Sequence, residues 1–142
     1  MQADKIKFIT LGVIFIFTGL FVIYSSQAAT IQTSVIRQDC AGYSNCFTSL
    51  SAWESARQRD IVALNEIEEA RIEGTWINPD ITSVTIDGWI TGPNNYIRIY
   101  TTPEARHNGK WKSDAYKLEI TNIVGINIME DYVRIDGLQI NF

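Results

Sequence analysis

A catalytic or binding chemistry needs a proton carrier, a nucleophile, a metal cage or a phosphate cradle, and this chain offers few of them. Its single histidine, His107, lies in Arg106-His107-Asn108-Gly109, with Glu104 close by. A histidine beside carboxylates can act as a general base near neutral pH. No nucleophile motif accompanies it, and an ordered loop turning at Gly109 accounts for the same residues. Acids are scattered at Asp80, Asp87, Asp114, Asp131 and Asp136. Asp87 and Asp136 each precede a glycine, which is also turn chemistry. His107, Asp87 and Asp136 are therefore the polar candidates for a site. No glycine-rich phosphate loop, Cys-x-x-Cys pair, His-Glu-x-x-His run or serine elbow occurs in the sequence.

Two further residue sets could matter. The aromatics Trp76, Trp89, Tyr96, Tyr100, Trp111 and Tyr116 are dense for so short a stretch. Their rings can stack on sugars, or pack between loops. Cys40 and Cys46 enclose five residues, among them Gly42, enough slack for a disulfide in an oxidising compartment. Free thiols are the alternative; a metal site lacks a second Cys or His pair.

The compartment is read from the start of the chain. Lys5 and Lys7 precede a stretch from Phe8 to Ile36 without a charged side chain, whose apolar part is Phe8 to Tyr24. Ser26-Gln27-Ala28 sets small residues where a signal peptidase reads, so residues 1–28 are expected to be a signal peptide cleaved after Ala28. The alternative is an uncleaved anchor, with the membrane touched only through residues 8–24. Either way the body is expected to be secreted or at the cell surface. Beyond residue 28 the chain has 10 basic and 15 acidic side chains. An acidic body argues against nucleic acid as partner and against electrostatic attachment to anionic lipid.

The elements that must position these residues are short. Residues 29–47 are polar and turn-rich and read as irregular. Ser51 and Glu54 fit a capping box, predicting a short helix to about Asp60 with Trp53 and Ala56 on one face. Residues 61–73 lean to strand, with Val62 and Leu64, and Ala70 and Ile72, alternating. From Val84 the period is two: Val84/Ile86, Ile97/Ile99, Leu118/Ile120, Ile126/Ile128, Val133/Ile135 and Leu138/Ile140/Phe142. Val84-Thr85-Ile86-Asp87-Gly88-Trp89 and Val133-Arg134-Ile135-Asp136-Gly137-Leu138 repeat each other 49 residues apart. That spacing suits two turns of a stacked architecture of roughly 20–29 residues each. The inward positions switch from odd to even across Gly137, as expected where the chain rounds a corner.

Ser49-Leu50-Ser51-Ala52-Trp53-Glu54, Ser83 to Trp89, Tyr96 to Thr101 with Glu104 to Gly109, and Asp131 to Leu138 together resemble secreted proteins of the right-handed parallel β-helix class, the pectate-lyase-like superfamily. The resemblance covers residues 48–142 and implies an all-β fold made of the N-terminal coils of a β-helix, with a short capping helix and the hydrophobic signal helix before it. The last strand ends apolar and uncapped, so the chain is expected to be part of a longer protein and its open last coil to self-associate. Two functions follow from the resemblance. One is a cell-surface or secreted binding or scaffold module contacting polysaccharide. The other is the N-terminal part of a polysaccharide lyase or glycoside hydrolase whose catalytic coils lie beyond residue 142. Whether the chain is an enzyme stays open. No cofactor is expected, apart from calcium if it is an enzyme, held by acids such as a column of Asp87 and Asp136.

Overall fold

The computed structural model describes residues 27–121 and 124–141. The expected signal segment, apart from Gln27 and Ala28, lies outside the described residues. Nine strands and one helix follow in the order β1 (Thr30–Ile36), β2 (Cys46–Phe47), α1 (Leu50–Arg57), β3 (Glu66–Ile72), β4 (Val84–Ile86), β5 (Ile97–Thr101), β6 (Lys117–Glu119), β7 (Ile126–Ile128), β8 (Val133–Asp136) and β9 (Gln139–Asn141). No helix among the described residues is long and apolar enough to cross a membrane.

The strands form three sheets, ordered β2-β1-β3-β5-β8, β4-β7 and β6-β9. Every pairing between named strands is parallel. Parallel neighbours cannot be joined by a tight hairpin, so each return needs a long excursion. Thr30 pairs with Glu66, Glu68 with Ile97, and Ile97 with Val133, which are returns of 36, 29 and 36 residues. Val84 pairs with Ile126 after 42 residues and Lys117 with Gln139 after 22. The returns of 29 and 22 fall within the expected 20–29, and those of 36, 36 and 42 exceed it. The sheet order corrects the meaning of the 49-residue repeat: its two copies, β4 and β8, lie in different sheets.

Parallel in-register pairing stacks like on like. Ala70, Ile99 and Ile135 form one inward column, Ile36, Ile72 and Thr101 a second, and Leu118 with Ile140 a third. These columns enclose one core with Leu50, Trp53, Ile61, Trp76, Val84, Ile86, Trp89 and Tyr116. Trp53 stacks on Trp89 with ring centroids 5.7 Å apart, and Trp76 meets Tyr116 edge-on at 4.8 Å. Each fully buried aliphatic side chain of this kind contributes roughly 1.5–3 kcal/mol. Toward β8 and β9 the cover thins: Ile135 and Ile140 are more than a third exposed.

Several expectations need correction. The segment 29–47 contains β1, a central strand, and β2, so it is not irregular. The helix is capped by Ser49, whose hydroxyl accepts the Ala52 N–H at 3.0 Å, rather than by a Ser51–Glu54 box, and it ends at Arg57. Its buried face is Leu50, Trp53 and Glu54, while Ala56 is exposed. Residues 61–65 are turn, with Val62 and Leu64 exposed, and the strand begins at Glu66. The corner at Gly137 is as expected. Its φ of +82° suits glycine, and Leu138 beyond it packs against the core.

Candidate functional site

Among the described residues, the sequence candidates do not meet at one site: His107 lies near enough to Asp136 for its charge to act on that carboxyl, while Asp87 lies apart after β4. His107 is half-buried, and its Nδ1 accepts the Gly109 N–H at 3.0 Å, which makes it a turn brace. Asp87 is exposed and folds back on the Gly88 N–H at 2.8 Å, while the Asp87 N–H donates to the buried Glu54 carboxylate. Asp136 is clamped by both terminal nitrogens of Arg106, and that bonding holds its carboxyl below the usual aspartate range. The proposed Asp87–Asp136 column does not form. Asp136 sits beside Tyr100 in the long sheet, while Asp87 follows β4, which pairs with β7. Among the described residues no group of three His, Cys, Asp or Glu side chains is placed to hold a metal ion. Cys40 and Cys46 are joined in a disulfide, with Cα atoms 5.6 Å apart.

The dense polar chemistry lies where the sequence reading did not look. On the inward side, Glu68 is fully buried. Its Oε1 accepts from Ser34 Oγ, Trp53 Nε1 and Arg57 Nε, and its Oε2 from Arg57 Nη2 and Arg59 Nη2. A buried carboxylate is tolerable only when paired and hydrogen-bonded in this way. The bond to Glu68 is also the chief cause of the Arg57 guanidinium's pKa rising above its usual value. Asp80, likewise buried, accepts the Leu50 N–H and the Tyr116 hydroxyl, joining the helix start to β6's loop. Lys117 buries its ammonium against the carbonyls of Trp76, Ile77 and Ser113. These groups are satisfied from all sides, so they hold the frame and leave no valence for a ligand.

On the outward side, pairing register aligns polar residues across the long sheet. One row runs Thr33, Glu69, Arg98, Arg134, and the next runs Val35, Arg71, Tyr100, Asp136. Glu69 accepts from Thr33, Arg98 and Tyr100. Burial, then the Glu69 charge and hydrogen bond, push the Tyr100 phenol's pKa up. Arg98 and Arg134 lie over tyrosine rings, Arg98 at 4.3 Å from the Tyr100 centroid and Arg134 at 3.5 Å from that of Tyr96. The two arginines differ in one respect. Arg98 is paired with Glu69 at 3.1 Å, whereas Arg134 makes no ion pair among the described residues.

Arg134 and Tyr96 stand at a cleft of about 560 Å³ lined also by Asn65, Ile67, Asn94 and Asn95, with residues 27–29 along its edge. Asn95 is fixed by donating to the Glu66 carbonyl at 3.1 Å. The arrangement presents an exposed guanidinium over an aromatic ring, beside amide groups and an apolar side chain. It can take a carboxylate or a hydroxyl-rich ring. A smaller hollow of about 260 Å³ lies elsewhere, bounded by His107, Lys110, Trp111, Leu138, Gln139 and Ile140.

Of the aromatics expected to meet sugar or core, Trp76, Trp89 and Tyr116 are core, and Trp111, Tyr96 and Tyr100 reach the surface. Arg134, Arg98 and Glu69 were not singled out from the sequence. Their signal was present in Tyr96-Ile97-Arg98-Ile99-Tyr100, where the polar alternates of the strand are arginine and tyrosine. No family model matches the chain, and comparisons with curated proteins and with solved structures find no match.

Proposed function

We propose that the chain forms an exported right-handed parallel β-helix, secreted or held at the cell surface, that works as a binding or scaffold module contacting an acidic glycan. Support for the β-helix comes from three stacked parallel sheets with in-register columns and returns too long for hairpins. The right hand follows from the near-universal handedness of parallel crossovers. Helix α1 packs against β4, β2 and β1, where it can serve as the cap of a solenoid's first coil. Export is supported by the basic-apolar-small pattern of residues 1–28 and by the Cys40–Cys46 bridge, which suits an oxidising compartment. The exported product is expected to begin at Ala29, which removes Gln27 and Ala28 from the cleft edge and leaves Asn65, Ile67, Asn94, Asn95, Tyr96 and Arg134 in its lining, and mass spectrometry of its N-terminus tests this.

The observation that carries the glycan reading is Arg134. Its guanidinium lies on Tyr96 at the mouth of the asparagine-lined cleft without a carboxylate partner among the described residues. A sugar ring offers an apolar face to Tyr96, and a uronic carboxylate offers the missing charge partner. The test is calorimetric titration of the chain with a uronic-acid tetrasaccharide. A charge-assisted bond contributes about 1.5–3 kcal/mol, so Arg134→Ala should weaken binding about 10- to 100-fold. Equal affinity in the variant and the parent would overturn the reading.

A further inference from the structure

We infer that the loop 106–112, with the hollow beneath Trp111, is a second site for anionic sugar, separate from the Arg134 cleft and sharing no lining residue with it. Four observations carry this.

The first is exposure. Trp111 is 54 % exposed, while Trp53, Trp76 and Trp89 are 0 %, 1 % and 4 %. A fold that buries its other tryptophans leaves this one at the surface, where its indole offers a large apolar face on which a sugar ring can stack.

The second is charge. The body is acidic, while residues 104–114 hold Arg106, Lys110 and Lys112, with His107, against Glu104 and Asp114. Asp136 takes Arg106, and Asp114 lies 3.5 Å from Lys112. Lys110 makes no ion pair among the described residues and stands beside the indole in the wall of the hollow. An unpaired ammonium beside an exposed indole favours an anionic ligand.

The third is rigidity. Gln139 is 6 % exposed and holds the Lys112 backbone by both ends: its Oε1 accepts the Lys112 N–H at 2.6 Å and its Nε2 donates to the Lys112 carbonyl at 3.0 Å. The residue next to Trp111 is thereby pinned to β9, and the hollow exists before any ligand arrives. Such preorganisation lowers the entropic cost of binding.

The fourth is shape. The hollow is shallow and open, with Leu138 and Ile140 among its lining residues, and its volume of about 260 Å³ is below the ~300–1,000 Å³ of sites that enclose a whole small molecule. It suits one ring of a longer chain.

The experiment is acrylamide quenching of tryptophan fluorescence in the full chain, because only Trp111 is open to the quencher. With a uronic-acid tetrasaccharide, the quenching constant should fall about twofold or more. Lys110→Glu, or a carboxyl-reduced tetrasaccharide with the parent, should need about tenfold more sugar for the same protection, since the charge contact contributes about one decade of affinity. Trp111→Phe should lose most quenching without ligand, which verifies the assignment. Arg134→Ala should leave the protection intact, so failure of the cleft and failure of this site are told apart. Undiminished protection in Lys110→Glu overturns the inference. So does protection by phosphatidylglycerol vesicles where the tetrasaccharide gives none, which would make the loop a lipid contact. Lys110 is exposed, so its variant should keep the parent's circular dichroism.

Discussion

Glu68→Gln is the change that best tests how this frame is held. The substitution keeps the shape of a fully buried side chain and removes its charge. Five donors converge on the two carboxylate oxygens, three on Oε1 and two on Oε2. Glutamine has one oxygen and one NH2, so whichever way it points, at least two donors face another donor. A hydrogen bond to a charged group contributes about 1.5–3 kcal/mol, which would put the loss near 4 kcal/mol for two. Side chains of Arg57 and Arg59 are 24 % and 22 % exposed, so water takes part in their solvation, and Glu66 still reaches Arg59 at 2.9 Å. These two effects reduce the expected loss to about 3 kcal/mol. Urea unfolding followed by the fluorescence of the stacked Trp53–Trp89 pair reads it directly. At an m-value of about 1.5 kcal/mol/M the midpoint should fall by about 2 M. A cycle with Arg57→Ala should give a coupling energy of about 2 kcal/mol. A loss below about 1 kcal/mol, or a coupling near zero, would refute the claim that this carboxylate pins α1 to the sheet.

Two other outcomes follow from the same frame. In Gly137→Ala the new Cβ would run into Thr101 Oγ1 and the Arg106 guanidinium at a φ of +82°, so the urea midpoint should drop by the equivalent of about 2–4 kcal/mol; a drop under about 0.5 kcal/mol would contradict the tight corner. Burial first, and then the charge and hydrogen bond of Asp80, raise the Tyr116 phenol's pKa well above its usual range. Since the unfolded tyrosine releases its proton near pH 10, about where free phenols do, stability should be full below that pH and fall as pH rises further. Tyr116→Phe should flatten that alkaline limb, and an unchanged slope would refute the assignment.

What could be read from the residues was whatever depended on neighbours in sequence. The alternation Ile97/Ile99, Val84/Ile86 and Val133/Ile135 announces strands because one face of each is apolar, and those strands exist. The parallel stacking was also expected. Strand β1 was missed because its core-facing residue Ser34 is polar, while Ile31 is 58 % exposed, so the alternation looks wrong until Glu68 is seen accepting from Ser34. Val62 and Leu64 misled in the opposite way, alternating in a turn. The helix start was displaced by two residues because both Ser49 and Ser51 can cap, and only the buried position of Leu50 decides. The site was harder still. Arg134 and Tyr96 lie 38 positions apart and Lys112 and Gln139 27 apart, and each pair meets only because parallel returns bring distant stretches into register.

The ammonium of Lys117 sits among three carbonyl oxygens at 2.5–3.2 Å, a coordination shell of the kind a small monovalent ion would fill. Here the positive charge is part of the polypeptide, so it cannot be chelated, exchanged or diluted away. The junction of residues 76–77 with residue 113 should therefore hold as well in salt-free, chelator-treated medium as in one rich in salt and free cations.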